Sequence, residues 1–293
     1  KFILSYCDRA LGITSAEEQP VLPKGNNLSL HLLELFTSQV AKVGMTDGIR
    51  QVLQEESDAL RAYYEQAGIL IARPAGGTSC RLAISAKGGT NAENHNHNDV
   101  GSYAVALGSE TMVGDQGGPN SYPGDYFNGD APQKYKIKGS FGHPVPVVDG
   151  RTQSSGGKAK GVVLQKEFTN EKDVFSINYT SAYSTPNLDK LIRTFVYDRQ
   201  GKGSFTVGDE FTAKTPIRFE TAITTRADWK ILDDTHLLLA TDSEQMIVAI
   251  EASGKVAFTS ETIEVNSPAY TRIGIALKNQ SKEGYIRLKM YTK

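Results

Sequence analysis

Two periods divide the chain. Before residue 69, apolar residues recur every three or four positions. Leu28, Leu32, Leu35, Phe36, Val40 and Val43 share one helical face, with Asn27 or Ser29 placed to cap it and Gly44 to close it. Thr46 opens a second run. Ile49, Val52, Leu53, Leu60, Tyr63 and Tyr64 fall on one side, Glu55, Glu56, Asp58 and Arg61 on the other, and Gly68 ends it. From Ile69 the period falls to two. Strands are predicted at 69–73, 81–86, 102–107, 111–115, 144–148, 161–168, 173–179, 191–197, 204–207, 217–224, 236–240, 245–251, 270–277 and 285–290. Short turn clusters separate them, at 198–203, 233–234, 253–254 and 279–284. Residues 154–160 read as a Gly/Ser/Lys loop and 117–132 as a long Gly/Pro/Asp/Tyr-rich one. Many short strands without helices between them predict a mostly β fold. The expected architecture is a large antiparallel β-sandwich over 69–293, preceded by a short helical segment over 1–68. Two amphipathic helices cannot bury their own apolar faces, so they must pack on further helices or on the β part.

The composition narrows the function classes. A length of 293 residues suits one large β domain plus a smaller unit. The net charge of −1, with dispersed basic residues, offers no field to attract nucleic acid or an anionic membrane surface. An acidic substrate would have to be held by local cations. No apolar run is long enough to span a bilayer. The opening residues lack a signal-peptide pattern and start abruptly, as a chain beginning partway through a larger protein would. Cys7 and Cys80 stand outside any metal-type spacing, and two buried free thiols are expected rather than a disulfide.

The candidate chemistry lies in the run Asn94-His95-Asn96-His97-Asn98-Asp99, directly before an apolar strand. In extended backbone His95 and His97 point to one face. So dense a set of polar side chains needs partners, and a metal or charged ligand supplies them. A hairpin follows around Gly108-Ser109. Simple pairing about that turn sets Asp115 opposite Ser102, and a bend at Gly101 would bring it toward His97. His143 arrives at the end of the long loop, just before the next strand. Two imidazoles and a carboxylate form a zinc ligand set with room for a fourth ligand. His31 and His236 read as ordinary polar residues. The string His95-x-His97-x-Asp99 also fits the start of a metallo-hydrolase motif, in which a metal-bound water attacks an ester or amide. Against it, Val100 stands where a further histidine is wanted. A cupin barrel would want a Glu near Gly101 and Ser102.

Three ordered segments, NHNHNDVGSY (94–103), VGDQGG (113–118) and SFGHPVPVVDGRTQ (140–153), resemble the C-terminal part of the heparinase II/III-like polysaccharide lyases. The strands DKLIRTFVYD (189–198) and 207–225 carry the same likeness, which covers about residues 20–293. The resemblance implies an α/α toroid before the sandwich, with the helical segment as its remnant, and a cleft between the two. It implies cleavage of uronate-containing polysaccharides, of glycosaminoglycan or alginate type, by β-elimination. His97, Asp115 and His143 match the ligands of a structural zinc, and His95 matches a substrate-contacting histidine. Tyr126, and after it Tyr122, are candidates for a loop tyrosine facing the cleft. Lys134, Lys136, Lys138 and Arg151 flank His143, either as anion receivers or as a solvated face. The toroid's own tyrosine and carboxylate-neutralising residue have no counterpart here, so this chain alone is expected to be incomplete for catalysis. The implied partners are an acidic polysaccharide and the missing toroid, and the implied location is periplasmic or secreted, in a bacterium. A carbohydrate-binding sandwich without catalysis is the alternative from another class. Oligomeric state is not legible.

Overall fold

Inward-facing apolar side chains at every second position organise the structure. The computed structural model describes residues 59–93, 96–115, 119, 121–264 and 269–293. The helical runs expected before residue 58, and with them the toroid remnant, lie outside the described residues, as do His95 and Cys7. The compact unit containing the described part runs from Asp58 to Lys293.

Its largest sheet has nine strands. In spatial order these are β13 (Asp228–Asp233), β14 (His236–Ala240), β15 (Gln245–Ala252), β18 (Ser281–Thr292), β11 (Ser204–Ile217), β10 (Leu188–Asp198), β9 (Lys172–Asn178), β8 (Gly156–Phe168) and β4 (Gly89–Asn91). A five-stranded sheet runs β1 (Arg61–Tyr64), β2 (Ile69–Ala72), β3 (Leu82–Lys87), β5 (Tyr103–Leu107) and β6 (Glu110–Val113). A four-stranded sheet runs β16 (Val256–Ile263), β17 (Tyr270–Leu277), β12 (Phe219–Thr225) and β7 (Val147–Val148). The strand pairs are antiparallel. The two smaller sheets are tied where β6 ends: Gly114 N–H donates to the Thr224 carbonyl at 3.0 Å, and the Thr225 hydroxyl donates to the Met112 carbonyl at 2.6 Å.

One core fills the space between the layers. It joins Leu82, Ile84 and Val105 to Phe195, Phe205 and Phe211 and to Phe219, Ile273 and Ile275. Tyr103 on β5 meets Phe195 and Phe205 of the large sheet at ring separations of 6.2 and 5.9 Å. Each such side chain contributes about 1.5–3 kcal/mol by leaving water. The mostly β, sandwich-type fold expected from the alternation is the one observed. Cys80 is a buried free thiol, 3.6 Å from the Tyr197 hydroxyl.

The local differences have physical causes. Residues 61–64, read as the end of a helix, form strand β1 paired with β2, so the β unit starts before residue 69. Tyr63 packs on Phe168 and Phe175 in the sandwich, while Tyr64 faces solvent. Gly68 has φ +62° and closes a hairpin turn instead of a helix. A left-handed glycine serves both ends equally well. Strands β13 and β16 are additional; both are sheet edges with much exposed surface, so they carry no inward alternation. Short β4 and the Gly-rich start of β8 escape the pattern for want of apolar side chains.

Candidate metal centre

His97 sits on a loop whose backbone is held at successive residues. Asn98 N–H donates to the Lys138 carbonyl at 2.9 Å, and Asp99 N–H to Asn91 Oδ1 at 3.0 Å. Gln153 clamps the next residue on both sides: its Oε1 accepts from Val100 N–H at 3.1 Å, and its Nε2 donates to the Val100 carbonyl at 2.7 Å. At Gly101 the chain bends with φ +87°, a conformation that disfavours a side chain, and a Cβ there would lie 3.2 Å from the Tyr179 ring. The bend expected at Gly101 is present.

Asp115 reaches the same place by a register shift. The pairs Leu107↔Glu110 and Ala106↔Thr111 are followed by Val105↔Val113, a one-residue irregularity that simple hairpin counting omits. Such bulges re-aim the residues beyond them. His143 follows a 3₁₀ turn at Ser140–Gly142 and is fully buried. Its Nε2 lies 3.0 Å from the Ile137 carbonyl. A carbonyl only accepts, so Nε2 carries the proton and Nδ1 is left with its lone pair. That Nδ1 has no hydrogen-bond partner, and it lies 3.7 Å from Asp115 Oδ2.

The His97 and His143 rings are 5.1 Å apart, and one ligand atom from each of His97, Asp115 and His143 lies within 4.8 Å of the others. Burial, followed by the neighbouring His143, pushes His97 down to about 4, so its imidazole is neutral at physiological pH, the form that binds metal. Neighbouring donors on a tetrahedral ion with bonds of about 2.1 Å stand about 3.4 Å apart. The His143–Asp115 separation is close to that, and a buried lone pair lacking a donor is what a cation would satisfy. The set fits zinc.

Solved structures carry the same architecture. The "Crystal Structure of Heparinase III" superposes with a TM-score of 0.62 at 18% identity, over 79% of this chain and 36% of that one. Heparan sulfate lyase HepC from Pedobacter heparinus matches at TM-score 0.67 and 14% identity, over 89% of this chain and 42% of that one. Another heparinase III gene product matches at 0.68 and 11%, over 90% and 42%. The fold is heparinase-III-like. This chain spans about two-fifths of the length of those structures. No protein-family model matches the chain, and no curated protein does.

Within this heparinase-like sandwich, residues 126–137 pack on strands β16 and β17 of the four-stranded sheet. Tyr126 and Ile137 pack on Ile263 and Tyr270, and the Tyr270 hydroxyl donates to the Gly142 carbonyl at 2.9 Å. Tyr126 is buried, and its hydroxyl lies 3.2 Å from His97 Nε2. Burial pushes its phenol up to about 12, so it stays protonated. Tyr122 and Phe127 are each more than half exposed, with ring centres 5.2 Å apart, and both lean on Tyr126. Lys134 pairs with Asp125 and Lys136 with Glu261, both at the surface. Lys138, read as a flanking surface cation, is buried. Its Nζ donates to the Tyr126 carbonyl at 2.5 Å and lies over the Tyr126 and Phe127 rings. Beside Tyr126 opens a cleft of about 610 Å³, bordered by Tyr135, Lys134, Lys136, Glu261 and Glu264.

Sequence reasoning passed over Gln153, Arg193 and Asp209. Arg193 and Asp209 were visible as charges at inward positions of strands, in phase with Phe195 and Val207.

Proposed function

We propose that this chain is the sandwich portion of a polysaccharide lyase that cleaves uronate-containing acidic polysaccharides by β-elimination. The observation that carries the reading is the convergence of His97, Asp115 and His143, from three separate segments, around a buried imidazole lone pair on a heparinase-type sandwich. In β-elimination a base removes the C5 proton of the uronate, the C4–O4 bond breaks as a C4=C5 double bond forms, and an acid protonates the departing O4. The uronate carboxylate must be neutralised for the enolate-like state to form. Each proton-transfer group is worth about 10²–10⁴ in rate.

In this reading His95, two residues before His97, contacts substrate and takes part in charge neutralisation or proton transfer. Zinc, when bound, would be structural, holding His97, Asp115 and His143 together. Tyr126, protonated and hydrogen-bonded to His97, either supports that ring or donates a proton. The exposed rings of Tyr122 and Phe127, inclined to each other by 47°, offer apolar surface for a sugar face. The remaining catalytic groups of such a lyase would come from its toroid. The enzyme works in the periplasm or outside the cell.

The metal-dependent hydrolase reading is disfavoured by Asp99, whose carboxylate is paired with Lys87 Nζ at 2.5 Å. The test is the full-length protein on a panel of heparan-type and alginate-type polysaccharides, followed by ultraviolet absorbance. Growth of unsaturated uronate absorbance is expected. New reducing ends without that absorbance would establish hydrolysis instead, and zinc-loaded protein that binds polysaccharide without cleaving it would establish a binding module.

A further inference from the structure

A charged side chain at an inward position of a central strand calls for an explanation. Strand β10 buries Leu191, Arg193, Phe195 and Tyr197 in alternation. The register sets Arg193 directly across from Asp209 on β11, and both are buried. The guanidinium has five N–H groups, and five acceptors meet them. Nε donates to Asp209 Oδ1 at 2.7 Å, and Nη2 to Asp209 Oδ2 at 2.6 Å and Thr221 Oγ1 at 3.1 Å. Nη1 donates to the Gly101 carbonyl at 2.7 Å and the Pro144 carbonyl at 2.8 Å. The Tyr179 and Thr221 hydroxyls complete Asp209, at 2.6 and 2.7 Å.

Fold stability alone does not account for this arrangement. A buried ion pair is often no more stabilising than apolar residues of the same volume. The pair does what apolar residues cannot: it presents two N–H groups on one rigid plane to two separate chain segments. Gly101 lies four residues after His97, and Pro144 follows His143 directly. One guanidinium therefore joins the two segments that carry the two imidazoles, and anchors both to the nine-stranded sheet.

We infer that Arg193 is the positioning residue of the metal centre, setting the spacing between the His97 and His143 segments through the Gly101 and Pro144 carbonyls. The inference rests on the zinc reading for two of its three measurements, and the third, amide exchange, is independent of metal. Two variants remove the tethers. R193M/D209L replaces the pair with apolar side chains, and R193K keeps the charge opposite Asp209 while lacking the fork that reaches both carbonyls. L239A is the control: it removes core volume on β14 without touching either segment.

Zinc affinity is read by competition with a chromogenic chelator, the ligand field by the cobalt(II) absorption spectrum, and segment order by amide hydrogen exchange over 96–101 and 140–146. The tether variants are expected to lose about 10–100-fold in zinc affinity, to alter the cobalt spectrum, and to exchange faster in both segments. L239A should melt earlier with affinity and spectrum unchanged. If R193M/D209L does not fold, R193K decides. A folded tether variant with wild-type affinity, spectrum and exchange would overturn the inference. If the wild-type protein binds no zinc, the metal reading fails by itself, and exchange alone decides the role of Arg193: faster exchange supports it and unchanged exchange refutes it.

Discussion

Removing the metal ion is expected to lower the melting temperature by about 5–10 °C. In the metal-free protein His143 Nδ1 is buried without a partner, and the Asp115 carboxylate lies 3.7 Å away. An unsatisfied buried polar atom costs about 1–3 kcal/mol, and binding a cation there removes that cost. With free zinc at 100 times its dissociation constant, linkage adds about 2.7 kcal/mol to the folded state. For a β unit of this size each kcal/mol moves the midpoint by about 2–4 °C, which gives the stated shift. The assay is calorimetry on protein whose zinc content has been measured, with and without a chelator. The same pair of scans on H97A, D115A and H143L should show no chelator effect, since each lacks a ligand. A zinc-loaded wild-type protein whose melting curve ignores chelation would refute the structural-metal argument.

Three further outcomes follow from the geometry. Y126F keeps the ring among Tyr122, Phe127 and Tyr135 and deletes the hydroxyl at His97, so stability should fall by only about 0.5–1.5 kcal/mol. A matching loss of zinc affinity would mark Tyr126 as a support for His97, whereas unchanged affinity with abolished kcat in the full-length enzyme would make it the proton donor. His97 sits at about 4 in the folded metal-free protein against about 6.5 when unfolded, so the unfolded state takes up the proton first as pH falls. Its contribution is present above pH ~6.5 and lost on the way down to pH ~4, about 3 kcal/mol in all; urea midpoints of metal-free protein should show this slope, and H97Q should flatten it. H95A in the full-length protein should abolish eliminative cleavage with little change in melting temperature, and full activity would remove His95 from the mechanism.

What could be read from the sequence depended on whether a residue's role is local. Strands β14 and β17, with inward residues such as Leu237, Leu239, Ile273 and Ile275, were located at the same bounds because their alternation faces a core. Edge strands β13 and β16 face solvent over much of their length and leave no such trace. His97, Asp115 and His143 stood out because imidazoles and a carboxylate at strand–loop junctions are chemically conspicuous. Their meeting, by contrast, depends on the bulge near Met112, which pairing rules do not contain. The burial of Tyr126 and Lys138 was illegible for a similar reason. Tyr126 packs against Ile263 and Tyr270, more than a hundred residues later, and Lys138 lies in turn over the Tyr126 and Phe127 rings. Arg193 and Asp209 were readable in principle, since opposite charges in phase with Phe195 and Val207 can be buried only together.

The backbone around His97 also predicts how order is divided between protein and metal. The amide N–H groups of Asn98, Asp99, Val100 and Gly101 donate in turn to the Lys138 carbonyl, Asn91 Oδ1, Gln153 Oε1 and the Lys87 carbonyl. Arg193 and Gln153 donate to the carbonyls of Gly101 and Val100. With its donors met by protein acceptors, this segment needs no ion to hold its path. The ion satisfies side chains, and the polar network satisfies the backbone. Chelation should therefore lower the global melting temperature while leaving amide exchange over 98–101 slow under native conditions, and Q153L should do the reverse locally, speeding exchange there even with zinc bound. Fast exchange over 98–101 in the chelated wild-type protein would mean that the metal, and not the Gln153 and Arg193 bonds, orders the loop.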